Sequence, residues 1–294
     1  MRVFVTGATG FIGSAVVREL LDAGHQVLGL ARSDASAEAL TRAGAEVQRG
    51  ELADTEGLAA AAKACDGVIH LAFIHDFSAF EAATLTDQQA VKAMTTALEG
   101  SGKPFVGTSG TMTLPAGRIG NETDEPAVNG NLRGVTENIT LAAAAHGVRA
   151  SVVRLSPSVH GAGDHGFVPM LIGLARSTGV AAYIGDGSNR WPAVHRLDAA
   201  RLFRLALEKA APGTRLHGVA EEGIPMREIA AAIGEGVGVP VRGLGAEEAA
   251  LHFGWMAMFA GVDNPASSAV TRETMGWRPK GPGLLADMRE SGYF

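Results

Sequence analysis

The first apolar run, Arg2-Val3-Phe4-Val5, passes directly into Thr6-Gly7-Ala8-Thr9-Gly10-Phe11-Ile12-Gly13 and then into an amphipathic segment. A strand that must become a helix within so few residues leaves little choice of backbone. Gly7 permits the tight turn, Gly10 lets the main chain approach a pyrophosphate, and Gly13 allows close helix–strand packing. The helix start adds unpaired N–H groups and partial positive charge, so Thr9, Phe11 and Ile12 line the same anion site as the three glycines. Glycine makes up 39 of the 294 residues, so the Gly-x-x-Gly-x-x-Gly spacing carries weight only because of where it stands.

The unit then repeats. Strands are expected at Arg2–Val5, Gln26–Ala31, Glu46–Arg49, Gly67–Ala72, Pro104–Thr108 and Ala150–Leu155, with helices at Gly13–Ala23, Ser36–Arg42, Thr55–Ala64, Leu85–Glu99 and Val128–His146. These strands are too uniformly apolar to face water on either side, which predicts a parallel sheet covered on both faces. The fold class is α/β, a Rossmann-type doubly wound sheet with a small mixed C-terminal substrate cap. The sheet domain is expected over 1–155, with about 190–214 returning to it through a helix at Leu197–Lys209. The cap takes 156–189 and 215–294, with helices near Ile224–Gly234 and Ala246–Phe259.

Composition narrows the partners. Hydrophobic residues form 46% of the chain, enough for a full core. With 25 Lys and Arg against 31 Asp and Glu, the net charge of −6 offers no basic field, so neither a nucleic acid nor a membrane is expected as a partner. Cys65 is the one cysteine, so no internal disulfide forms. No apolar run reaches the roughly 18 residues of a spanning helix, and Gly7 leaves no room for a signal peptide. The expectation is a cytoplasmic monomer or homodimer acting on a small molecule.

About twenty residues past the glycine loop, a chain selecting NAD presents Asp or Glu to the adenosine ribose. Here the second strand ends in Leu30-Ala31-Arg32-Ser33. A guanidinium with a neighbouring hydroxyl suits a 2′-phosphate, so NADP (NADPH) is the expected cofactor over NAD. The competing reading has Arg32 solvated and Asp34 on the ribose.

With these motifs the sequence resembles the extended and atypical short-chain dehydrogenase/reductases, the group of nucleotide-sugar epimerases, dehydratases and related reductases. Thr6–Gly13 resembles the family's glycine motif, and Gly50-Glu51-Leu52-Ala53-Asp54 its segment beside the adenine. Val68-Ile69-His70-Leu71-Ala72 is similar to the strand under the cofactor, and Pro104–Ser109 to the strand ending in the active-site hydroxyl. Gly185-Asp186-Gly187 and Trp191–Asp198 resemble the family's Gly-Asp-Gly and Val-His-Val-x-Asp stretch. The resemblance implies that Glu51, Leu52, Leu71 and Ala72 border the cofactor, and that the backbone of Pro157 and Val159 faces its carboxamide.

The family's Tyr-x-x-x-Lys is missing. Counting back from Glu137 puts Arg133 at the lysine position and Asn129 at the tyrosine position, and the chain has only Tyr183 and Tyr293. Reducing a carbonyl by hydride requires a proton for the forming alkoxide. Arg133 can hold the nicotinamide ribose but releases no proton at neutral pH, while the Asn129 amide can donate a hydrogen bond but is not an acid. Arg133 is otherwise an i,i+4 surface partner of Glu137.

Substitute donors are therefore sought near the C-terminal ends of the strands. His75 beside Asp76 titrates near neutrality, and is otherwise a loop histidine next to a helix-capping Asp76. Gly110 takes the family's hydroxyl register, so Ser109 and Thr111 both remain open as groups that bind the substrate oxygen. His160 is expected to point into the cleft. Together with Asp164 and His165 it offers ligand-type side chains but no fourth at a recognisable spacing, so no metal is expected. Tyr183, Arg190 and Trp255 are the candidate substrate contacts from the cap; Tyr183 is otherwise a half-buried packing residue, and the stripe Phe253, Trp255, Met256, Met258 and Phe259 is either cap core or the wall of a lipophilic site. His195 and Asp198 read as structural, and Tyr293 as frayed or surface-packed. The leading function is an NADP-dependent oxidoreductase acting on a small or lipophilic carbonyl or imine with a non-tyrosine proton donor. A catalytically silent NADP(H) sensor comes second and a nucleotide-sugar epimerase or dehydratase third.

Overall fold

The computed structural model describes residues 1–75, 79–127 and 132–294. Seven strands form one parallel sheet: β1 (Arg2–Thr6), β2 (Gln26–Ala31), β3 (Glu46–Arg49), β4 (Gly67–His70), β5 (Pro104–Gly110), β6 (Arg149–Leu155) and β10 (Thr214–Gly218). Their order is β10-β6-β5-β4-β1-β2-β3, with every neighbouring pair parallel. The order reverses between β1 and β4, the kind of switch point at whose C-terminal strand ends open α/β sheets hold their ligands.

Alternation within each strand explains the two covered faces. Val3 and Val5 of β1 pack with Val16 and Leu20 of α1 (Phe11–Asp22) and with Leu202 and Phe203 of α7 (Arg196–Lys209). Phe4, between them, turns to the other side against Leu58 of α3 (Thr55–Ala64) and Met94 of α4 (Phe80–Ala97). Capping residues set the crossovers: the Ser33 hydroxyl accepts from the Ser36 amide at the start of α2 (Asp34–Ala43), and the Asp54 carboxylate accepts from the Gly57 amide at the start of α3. Helix α1 begins at Gly10 with no side-chain cap and no acidic residue in its first turn.

The cap has its own core. Helices α6 (Phe167–Thr178) and α8 (Met226–Val237) pack Leu171, Ile172, Ile229 and Ile233 around Trp191, with Phe253 of α9 (Ala246–Phe253) and Leu284 of α12 (Leu284–Glu290). A small sheet joins β7 (Ser158–His160), β9 (Arg190–His195) and β11 (Glu221–Pro225), and β8 (Ala181–Ile184) pairs with β12 (Val241–Leu244).

Three expectations need correction. The sheet extends to Gly218, because β10 adds Leu216 to the core beside β6. Residues near 269–281 also leave the cap: α11 (Ala269–Met275) and Trp277 pack into the first core, where the Trp277 indole donates to the Asp198 carbonyl at 3.0 Å. The long helix expected through Phe259 stops at Phe253, since Gly254 sits at φ +54°, and a short α10 (Ala257–Ala260) follows.

Helix α5 (Leu132–Ala142) is fixed by charge. Glu137, fully buried, accepts a fork from Arg154 (2.5 and 2.9 Å) and a further bond from Arg215 (2.9 Å). The Arg133–Glu137 surface pair is thereby excluded. Glu137→Gln would leave Arg154 as a buried charge without its countercharge, so the substitution should lower the unfolding free energy by about 3–5 kcal/mol, read by urea denaturation.

Candidate active site

The crevice is built where β1 and β4 end side by side. Gly7 turns the chain at φ +65°, and a Cβ there would meet the Ala72 amide nitrogen at 2.7 Å. A Cβ at Gly13 would lie 1.9 Å from the Gly7 carbonyl oxygen, so helix and loop touch through backbone alone. The first-turn amides of Phe11, Ile12 and Gly13 have no intrahelical acceptor. With no capping side chain or acidic group beside them, this cradle fits a diphosphate.

At the far end of the crevice Arg32 is exposed and has no ion pair among the described residues. The Ser33 hydroxyl donates to Ser36 Oγ at 3.0 Å, and Thr9 Oγ1 reaches the same oxygen at 3.4 Å. Asp34, the alternative ribose acceptor, is paired with Arg49 at 2.9 Å. Leu52 is buried and Glu51 exposed beside this end.

A buried polar chain runs from the glycine loop towards the reaction side. Thr6 Oγ1 accepts from the amides of Leu71 and Ala72 (both 3.2 Å), so its one proton goes to His70 Nδ1 at 2.7 Å. His70 Nε2–H then donates to Asp87 Oδ1 at 2.9 Å, and Asp87 Oδ2 accepts from Arg133 at 2.6 Å. Arg133 also donates to the Thr108 carbonyl at 2.9 Å, and its guanidinium lies 4.3 Å from the centre of the Phe73 ring. His75 stands next to Phe73, with rings 5.3 Å apart. Desolvation first, then the Arg133 charge, holds the His75 imidazole below its ordinary pKa.

Ser109 is buried at the end of β5, and its hydroxyl has no hydrogen-bond partner among the described residues. Thr111 is corrected: its hydroxyl donates to Asn264 Oδ1 at 2.7 Å while the Asn264 amide returns a bond to the Thr111 carbonyl, clamping sheet to cap. Asn129 and Asp76 lie outside the described residues.

Several cap residues differ from expectation because each satisfies a polar group elsewhere. His160 is fully buried and bound through Nδ1 to Asp287 at 2.7 Å, so it does not open into the cleft. Asp164 accepts from the Tyr293 phenol at 2.8 Å, and the same oxygen of Tyr293 accepts from the Gly161 amide at 3.0 Å. Tyr293 is therefore a clamp and not a frayed end. Burial above all raises its pKa, which keeps the phenol protonated. Among the described residues no group of three His, Cys, Asp or Glu side chains could hold a metal ion.

Arg190 is spent on a forked pair with Asp263 (3.0 and 2.9 Å). Tyr183 packs in the cap, where a Cβ at Gly187 or Gly243 would strike its ring. Trp255 lies on an outer hollow with Met170, Leu174 and Phe253, and stacks edge-on with Phe259 at 6.0 Å. His195 caps α7, and Asp198 gathers the Lys280 and Gly281 amides and Arg201. Pro157 and Val159 are half-buried on either side of Ser158.

The residues missed from sequence are Asp87, His70 and Arg49. A histidine closing an all-buried strand was the available signal, because its ring nitrogens need partners.

Residues 3–217 match the family described as NAD dependent epimerase/dehydratase. The chain is 50% identical to uncharacterized protein C2A9.02 of Schizosaccharomyces pombe, covering 100% of each. It is 30% identical to a 2-alkyl-3-oxoalkanoate reductase of Stenotrophomonas maltophilia over 82% of this chain and 77% of that one. The solved structure of the dTDP-glucose 4,6-dehydratase DesIV from Streptomyces venezuelae, with NAD and TYD bound, aligns with a TM-score of 0.76 and 20% identity, covering 99% and 97% of the two chains; this is a likeness of fold.

The polar chain makes a specific prediction. In Asp87→Asn the carboxamide can serve Arg133 or accept from His70 but cannot do both through one oxygen, and Thr6, which already accepts twice, cannot take a proton on His70 Nδ1. One buried donor is left without an acceptor, so the substitution should lower the unfolding free energy by about 1–3 kcal/mol, read by urea denaturation.

Proposed function

The chain belongs to the NAD dependent epimerase/dehydratase family, and we propose that it is an NADP-dependent oxidoreductase exchanging hydride with a small or lipophilic carbonyl or imine. The observation that carries this reading is the meeting of Arg133 and His75 beside Phe73 at the reaction end of the cofactor crevice. The 30% identical relative, named as a reductase of 2-alkyl-3-oxoalkanoates, supports carbonyl chemistry.

When bound, the nicotinamide supplies or takes the hydride. The amides of Phe11, Ile12 and Gly13 hold the diphosphate, with Gly7, Thr9 and Gly10 shaping the turn. Arg32 and Ser33 take the 2′-phosphate, helped by Arg49, whose pairing with Asp34 removes a carboxylate that would repel it. Glu51 and Leu52 border the adenine end, and Leu71, Ala72, Pro157 and Val159 the nicotinamide end. Arg133, held by Asp87 and the Thr108 carbonyl, binds the ribose hydroxyls. The Ser109 hydroxyl, which has no hydrogen-bond partner among the described residues, is assigned to the substrate oxygen. His75 in its cationic form gives the proton that the new alkoxide or amine requires, and regains it from water.

A second reading, a nucleotide-binding protein without turnover, is favoured by one feature: Asp87 offsets the Arg133 charge that would otherwise activate a proton donor.

Titration calorimetry with NADPH and NADH, followed by turnover assays on carbonyl and imine panels, separates the two. Arg32→Ala should weaken NADPH by about tenfold, the worth of one charge-assisted contact at a partly exposed site, and leave NADH within twofold. Equal losses for both nucleotides would overturn the NADP assignment.

A second test uses pH. Because burial and then the Arg133 charge lower the His75 pKa in the folded protein, the cationic form gains population as pH falls. The reduction rate at saturating NADPH should climb as pH is lowered. His75→Gln should flatten the profile and cost about 10²–10⁴ in kcat. An unchanged profile would remove His75 from the mechanism.

A further inference from the structure

In the stretch Val194-His195-Arg196-Leu197-Asp198 the family pattern Val-His-Val-x-Asp has a second valine where this chain has Arg196. This position carries a permanent cation, and the fold brings it to the glycine loop. Its guanidinium carbon lies 5.1 Å from the centre of the Phe11 ring, and Phe11 is the first residue of α1, whose amides make the diphosphate cradle. The arginine stem is seated by Gly161 at φ +142°, where a Cβ would meet Arg196 Cγ and Cδ at 3.1 Å. One nitrogen donates to the Ala162 carbonyl at 3.1 Å. No carboxylate pairs with the guanidinium among the described residues, so its charge is not neutralised as that of Arg133 is. His165 also meets the Phe11 ring, edge-on at 5.8 Å.

We propose that Arg196 is a cofactor-binding residue, a cationic clamp from the start of α7 that closes on the dinucleotide diphosphate across the Phe11 ring. It rests on the reading that the crevice takes a pyridine dinucleotide. A guanidinium packed on an aromatic face keeps its in-plane N–H groups free for phosphate oxygens, and an anion at a helix start adds to the attraction. Because the diphosphate is common to NADP and NAD, Arg196 adds affinity without selecting between them. This separates its role from that of Arg32.

The test is calorimetric titration of wild type, Arg196→Val and Arg196→Lys with NADPH, NADH, ADP-ribose and AMP at two salt concentrations. Arg196→Val should weaken the three diphosphate ligands alike, by about tenfold at low salt and less at high salt, and leave AMP within twofold. Arg196→Lys should recover part of the loss. A thermal melt of each variant without ligand checks folding, and the AMP titration serves as an internal control for an intact crevice. If wild type binds the dinucleotides and Arg196→Val binds them equally well, the clamp is wrong while the cofactor reading stands. If wild type binds none of them, the cofactor reading itself has failed. A loss confined to NADPH would also overturn the proposal, since it would move Arg196 to the 2′-phosphate.

Discussion

Everything at the functional edge depends on how closely two backbones approach where β1 and β4 finish. The Gly7 turn sits so near Ala72, and helix α1 so near the Gly7 carbonyl, that side chains have no room at either contact. A helix begun in this way cannot be capped by its own neighbours. Its first-turn amides have no side-chain cap, and an anion at that end would satisfy them. The other two early helices, begun by Ser33 and Asp54, are capped at their own first turns by side-chain oxygens.

The chain Thr6–His70–Asp87–Arg133 transmits the same economy of donors and acceptors inward. Thr6 accepts from two amides and donates to His70, and the carboxylate in the middle serves two donors at once. A buried carboxylate that satisfies a histidine and an arginine holds both in fixed orientation, while reducing the field that a lone cation would project. The reaction end is therefore ordered, and enough of the Arg133 charge remains to help hold the neighbouring His75 imidazole below its ordinary pKa.

How much of this was legible in the sequence follows from range. The glycine spacing and the apolar strands are written into consecutive residues, so periodicity and turn chemistry exposed them even though the strands pair with distant ones. The misplaced residues depend on distant partners. Thr111 answers to Asn264, His160 to Asp287, Arg190 to Asp263 and Tyr293 to Asp164, and no spacing rule links such positions. The same holds for the core: Trp277 fills a gap beside α7, although the Gly- and Pro-rich run around it read as cap.

That last contact has a consequence for recombination among relatives. The stretch carrying α11 and Trp277 delivers an indole to the Asp198 carbonyl and two amides to its carboxylate, so it completes the nucleotide-binding layer from the far end of the chain. The two layers are interleaved in sequence and do not form detachable modules. A chimera joined after β10 would import a foreign plug for that socket, and a working graft has to keep 269–281 with its own sheet and exchange only the segments on either side.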